Sequence, residues 1–163
     1  MGWHDRTEVK KGDLGEQIVA QWLLDRGIVP YHSLADKAHP FDFLCASQDK
    51  KTIYIVEVKA KSKRECYEDT GIEYHHYMDY TNIREKYGIQ VYLFFVDEKL
   101  GEIYGNKLSI LEQPKIVNGN SYPWVHKNKY GKTQIYFPLA SMQREIAMLT
   151  DENIQGLLDL TSK

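Results

Sequence analysis

Four charged side chains stand where charge is out of place. Glu16 falls on a segment with helical periodicity, Asp42 follows Pro40-Phe41, and Glu57 and Lys59 interrupt the apolar run Ile53-Tyr54-Ile55-Val56-Glu57-Val58-Lys59. A charge held unpaired against apolar strand sequence is strongly destabilising unless its pKa shifts and it neutralises. A divalent cation answering the carboxylates and a phosphate answering the lysine would compensate the set. Mg²⁺ takes oxygen ligands, keeps several waters and is commonly bound by one or two carboxylates plus substrate phosphates. Asp42 and Glu57 suit that role, with the backbone carbonyl of Val58 as a third ligand. Lys59 would neutralise oxygens on the attacked phosphorus or orient the attacking water. Phosphodiester hydrolysis is the chemistry these residue types serve.

The elements that must position them are legible in the patterning. From Glu8 to Arg26, Leu14, Ile18 and Trp22 recur every four residues, Val19 and Leu23 widen the stripe, and Gly27 follows as a stop, which predicts an amphipathic helix. Ile28 to His32 predicts a short strand, with Pro30 at an edge or an end. A polar turn, Asp36 to Pro40, leads to a strand over Phe41 to Ala46. Ser47 to Lys51 then forms a hairpin turn into a third strand, Thr52 to Lys59, rich in β-branched residues and Tyr. Residues two apart on a strand share a face at about 6–7 Å, so Glu57 and Lys59 point together, and Val56 and Val58 point the other way. In an antiparallel hairpin the start of one strand lies beside the end of the other, which brings Asp42 to Glu57.

Cys66 to Gly71 reads as a loop. Ile72 to Tyr87 has helical spacing, with Tyr77, Tyr80, Ile83 and Tyr87 on one side and Gly88 as terminator. Gln90 to Val96 is almost wholly apolar, as expected of a central strand covered on both faces. After a turn over Asp97 to Gly101, Ile103-Tyr104 marks a short strand. Thr133 to Leu139 predicts another, and Asp151 to Leu160 a terminal helix with Asp151 as N-cap. The expected class is α/β, a mixed central sheet flanked by helices in the order helix-strand-strand-strand-helix-strand. The expected organisation is a single domain over 1–163, with a core over about 8–106 and a variable C-terminal extension over about 107–163.

Composition removes several classes. The 163 residues are 42% hydrophobic and 27% charged, no apolar run approaches the about 18–20 residues of a membrane span, and a cytoplasmic protein with no membrane partner is expected. Cys45 and Cys66 show no metal-ligand spacing and no disulfide framework. A formal charge of -2 argues against a general nucleic-acid coat. Local charge is another matter: Lys61, Lys63 and Arg64 follow Lys59, and Lys127, Lys129 and Lys132 lie among Tyr122, Trp124 and Tyr130, a mixture that suits phosphates and stacked bases. A solvated hairpin over core aromatics explains the second group equally well.

The order of a helix Glu, then Pro40-Phe41-Asp42, fourteen residues, then Glu57-Val58-Lys59 resembles the PD-(D/E)XK nuclease superfamily. The resemblance covers roughly Gly12 to Val96, and Phe41 departs from the pattern by standing between Pro40 and Asp42. The opening Gly12-Asp13-Leu14-Gly15-Glu16 is similar to small Holliday-junction resolvase-like and phage nucleases. The resemblance implies a restriction-endonuclease-like core, an Mg²⁺-dependent nuclease in which Mn²⁺ can substitute, and a nucleic-acid substrate, DNA before RNA. It also implies a homodimer that pairs two active sites. By position, Asp42 and Glu57 would be metal ligands, Lys59 the catalytic lysine, and Glu16 a helix acid contacting the metal or its water. His76, Tyr77 or Tyr80 would be the further polar residue that the second helix supplies. The alternative is a non-catalytic nuclease-like subunit that binds DNA structure and needs a partner for cleavage.

Two structural explanations compete with these roles. Asp13 to Glu16 has the spacing of a capping box, with Asp13 as N-cap. His75-His76 is better read as a partly exposed helix face than as a metal site, since neighbours on a helix diverge by about 100°.

Overall fold

The computed structural model of the chain describes residues 6–34 and 39–161. The apolar stripe of the first segment folds as α1, Thr7–Asp25, which buries Gly15, Val19 and Leu23 and ends where Gly27 takes a left-handed φ of 72°. Asp13 therefore sits in mid-helix, and the capping-box explanation of Glu16 does not hold.

Two hairpin-linked strands follow the two-residue edge strand β1, Pro30–Tyr31: β2, Phe43–Ala46, and β3, Ile53–Ala60. The turn between β2 and β3 closes because Ser47 N–H donates to the Thr52 carbonyl at 2.8 Å while Ser47 Oγ accepts from Thr52 N–H at 3.1 Å. Of the polar turn expected before β2, residues 36–38 lie outside the described residues.

The chain next forms β4, Asp69–Glu73, and runs directly into α2, Tyr74–Tyr87. Here the structure corrects two expectations. The expected loop over Cys66 to Gly71 runs into a strand from Asp69, and the helix starts at Tyr74 rather than Ile72. The sequence Asp-Thr-Gly-Ile-Glu carries one large apolar side chain and hides its strand character; β4 exists because it pairs antiparallel with β10, Thr133–Pro138, with Ile72 opposite Ile135. Within α2, Tyr80 is buried but Tyr87 is 61% exposed and does not continue the apolar face. Gly88 terminates α2 with a left-handed φ of 65° and donates its N–H to the Arg84 carbonyl.

The crossover through β4 and α2 returns the chain as β5, Gln90–Asp97, parallel to β3, with Glu57 beside Leu93. β6, Glu102–Lys107, adds antiparallel to β5. A short helix α3, Leu108–Leu111, the hairpin strands β7, Lys115–Val117, and β8, Asn120–Tyr122, and then β9, Trp124–Lys127, were not signalled by periodicity. β11, Gln143–Met148, closes the main sheet, whose order is β1-β2-β3-β5-β6-β11. β4, β10 and β9 form a second, three-stranded sheet. The last helix, α4, spans Asp151–Thr161 and packs on α1. Its first turn is capped by Thr150, whose hydroxyl accepts the Asn153 N–H at 3.2 Å, and not by Asp151.

Alternation along the central strands feeds two cores. Val56, Val58, Phe94 and Val96 pack with Val19, Leu23 and Leu157 on the α1 and α4 side, while Ile55, Leu93 and Phe95 pack with Ile72, Tyr80 and Phe137 on the other. Cys45 is buried and Cys66 exposed, and both are free thiols. No helix of the described residues is long and apolar enough to cross a membrane.

α1 reaches the end of β3 through Gly15: a Cβ built there would lie 2.8 Å from Ala60 Cβ. Gly15→Val is expected to push the helix away and lower stability by about 1–3 kcal/mol, the usual range for overpacking, measured as a shift of the urea midpoint at constant slope.

Candidate active site

The β2–β3 register pairs Phe43 with Val56, and one step further places Asp42 opposite Glu57. The two acids are interlocked through the backbone. Asp42 N–H donates to Glu57 Oε2 at 3.3 Å, and Val58 N–H donates to Asp42 Oδ2 at 2.7 Å. Both carboxylates are buried, with residue exposures of 9% and 3%. In a strand, a residue's carbonyl points to the same side as its own N–H, so the Val58 carbonyl also faces the Asp42 side.

Glu57 Oε1 takes two donors: Lys59 Nζ at 2.5 Å and the hydroxyl of Tyr80 from α2. Of the three side chains considered on the second helix, Tyr80 alone bonds Glu57. Burial and then the Glu57 charge push the Tyr80 phenol well above its ordinary range, so it remains a donor at any working pH. His76 is half-buried, its ring centroid 6.3 Å from that of Tyr80, and burial followed by the charge of Lys59 lowers its pKa. Tyr77 points elsewhere, its ring centroid 6.4 Å from that of Phe137, and burial followed by the nearby charge of Glu112 raises its pKa.

Glu16 approaches the same point from α1. Burial, then Asp13 and Glu57, raise its pKa, while His39 and Lys59 pull it down. Asp42 is pushed up to about 8, first by burial and then by the charges of Glu57 and Glu16. Three carboxylates thus share one ammonium, and the surplus negative charge is the property of a cation site. The donor set of two buried carboxylate groups, one half-buried acid and a backbone carbonyl is hard oxygen throughout, which fits Mg²⁺ or Mn²⁺. His39, taken in sequence as part of a polar turn, lies close enough to act on Glu16, and its Nδ1 is 2.7 Å from the Phe41 carbonyl.

The basic residues expected to meet nucleic acid divide sharply. Lys61 Nζ donates to the Gly71 carbonyl at 2.8 Å, and burial lowers its pKa. Lys63 is paired with Glu68 at 2.8 Å. The Arg64 guanidinium is forked onto the fully buried Asp69 at 2.6 and 2.5 Å, under the rings of Tyr67, Trp124 and Tyr136. The 61–64 run is therefore tied into the protein rather than laid out as an open stripe. Lys127 and Lys129 are exposed on the β9–β10 hairpin, and Lys132 lies 3.4 Å from Glu73 at the end of β4.

No protein-family model matches the chain, and no curated protein matches it. Among solved structures, it is similar to Hjc of Archaeoglobus fulgidus, a Holliday junction resolvase from an archaeal hyperthermophile. The superposition has a TM-score of 0.53 at 11% identity and covers 80% of this chain and 90% of that one. At that identity the likeness concerns architecture, and it agrees with the observed mixed sheet between helices. The chain has a restriction-endonuclease-like fold, a mixed central sheet flanked by helices.

Proposed function

We propose that this chain is a divalent-metal-dependent nuclease that hydrolyses phosphodiester bonds in DNA, with branched DNA as its substrate. The observation that carries this is the convergence of Asp42, Glu57 and Lys59 at one end of β3, with Asp42 driven up to about 8 first by burial and then by neighbouring acids. The fold shared with a Holliday junction resolvase supports a branched substrate.

Asp42, Glu57 and the Val58 carbonyl would hold Mg²⁺ or Mn²⁺, with Glu16 on the ion or its water. When bound, the ion lowers the pKa of a water and offsets charge on the scissile phosphate. Tyr80 fixes one Glu57 oxygen so that the other stays turned to Asp42. Lys59, released from Glu57 Oε1, presents an ammonium to the developing charge on phosphorus or to the attacking water. The exposed Lys127 and Lys129 supply phosphate contacts at the periphery. Cutting both strands of a junction requires two such sites, which a homodimer supplies about its twofold axis.

The experiment combines cleavage with metal binding. The native protein should cleave a four-way junction in Mg²⁺, and Asp42→Asn should not. An ion at about 100 times its Kd adds about 2.7 kcal/mol, or roughly 5–11 °C in Tm for a chain of this size. Asp42→Asn should abolish that shift while melting no lower than the native protein without metal, because the amide keeps the Val58 bond and removes a charge that the site disfavours. Junction binding with neither cleavage nor a metal-dependent shift would instead assign the chain to a DNA-structure-binding subunit.

A further inference from the structure

At the corner where β4 runs into α2, Glu73, His75 and His76 bring one carboxylate and two imidazoles together, with ligating atoms all within 4.8 Å of one another. Glu73 Oε2 and His75 Nδ1 are already 3.4 Å apart. Ligands about 2.0–2.1 Å from a tetrahedral zinc stand about 3.3 Å from one another, so this edge of the polyhedron is formed and the other two, which both involve His76, need a small rotamer change. The ring centroids of His75 and His76 are 4.1 Å apart. Consecutive helix residues normally diverge, but these two lie in the first turn, where no preceding turn restricts their side-chain torsions. Glu73 itself keeps extended backbone, with φ -62° and ψ 135°, and turns its carboxylate back toward the imidazoles.

We propose that Glu73, His75 and His76 form a second divalent-cation site, one that takes Zn²⁺, Co²⁺ or Ni²⁺ in preference to Mg²⁺. Two nitrogens and one carboxylate suit these borderline ions, whereas Mg²⁺ prefers an all-oxygen shell. The site is chemically separate from the oxygen set at Asp42 and Glu57 and does not rest on the nuclease assignment. Two features oppose the ion and neither blocks it. Lys132 Nζ lies 3.4 Å from Glu73 Oε1, which leaves Oε2 available, and the positive end of the α2 dipole is offset by the Glu73 charge. Occupancy would hold the first turn of α2 rigid just before Tyr80, the residue that bonds Glu57.

The test is a Co²⁺ titration, followed by visible absorption, of Asp42→Asn protein and of native protein in excess Mg²⁺. Both backgrounds suppress binding at the carboxylate site. One equivalent with the intense spectrum of a tetrahedral nitrogen-containing site is expected, unaffected by Mg²⁺ and displaced by Zn²⁺. The His75→Ala protein should bind at least about tenfold more weakly, since even losing an outer-shell partner has that effect. The His75 side chain is 65% exposed, so this variant keeps the fold. Absence of Co²⁺ uptake in both backgrounds, or uptake unchanged by His75→Ala, overturns the proposal.

Discussion

Lys59→Ala is expected to slow single-turnover cleavage of junction DNA by about 10²–10⁴-fold while leaving the chain folded and able to bind a divalent ion. The magnitude is that of removing one preorganised charge or proton-handling group from a reacting centre. The fold survives because Lys59 sits near the end of β3, with its ammonium on Glu57 and its side chain 24% exposed. Metal binding survives because the lysine donates to Glu57 without contributing an oxygen ligand, and its loss removes a competing cation. Lys59→Arg should rescue poorly, since a planar guanidinium cannot take the compact position of an ammonium beside both Glu57 and a phosphate. Calorimetry with Mn²⁺ beside the cleavage rate distinguishes the outcomes. Full activity removes Lys59 from the chemistry, and loss of metal binding would make it a builder of the site.

The largest effect on stability is expected from Arg64→Ala. Asp69 is fully buried and accepts the two Arg64 bonds together with the Tyr122 hydroxyl at 2.7 Å, and Arg64 N–H also donates to the Asp69 carbonyl at 3.0 Å. Deleting the guanidinium leaves a buried carboxylate without its cation, a loss of about 3–5 kcal/mol. That corresponds to roughly 6–20 °C in Tm at about 2–4 °C per kcal/mol. The double variant Arg64→Ala with Asp69→Asn should recover part of the loss, a coupling that a thermal-melt mutant cycle measures directly. A different result would restore Arg64 to the nucleic-acid surface: unchanged Tm with weaker DNA binding and a shallower salt dependence.

Arg64 also shows why some of the candidate site was beyond sequence. Lys59, Lys61, Lys63 and Arg64 look alike as a basic run. Their fates were decided by what folds over them: Glu57 for Lys59, the Gly71 carbonyl for Lys61, Glu68 for Lys63, and Asp69 with three rings for Arg64. Most of those partners belong to β4 and its neighbours, the strand that has no alternating pattern of its own. Tyr80 could not be preferred to Tyr77 for a related reason. The two lie three residues apart on one face of α2, and only the placement of that helix against β3 sends the Tyr80 hydroxyl to Glu57 and leaves Tyr77 under the influence of Glu112.

What the residue order alone determined was whatever depends on short-range repetition. The four-residue apolar spacing made α1, the Ser47–Lys51 turn between β-rich runs made the β2–β3 hairpin, and the continuous apolar run made β5 central. Because hairpin register follows from its turn, the meeting of Asp42 with Glu57, and the shared face of Glu57 and Lys59, were already written in the spacing. Tertiary structure decided the rest: it formed β4 by pairing it with a strand more than sixty residues later, took Glu16 out of a capping role, and chose Tyr80 as the partner of Glu57. It also gathered Glu73, His75 and His76 at one corner. The physical reason is common to the first three. Periodicity reports the solvent boundary of one element, whereas these features depend on which second element arrives to cover it.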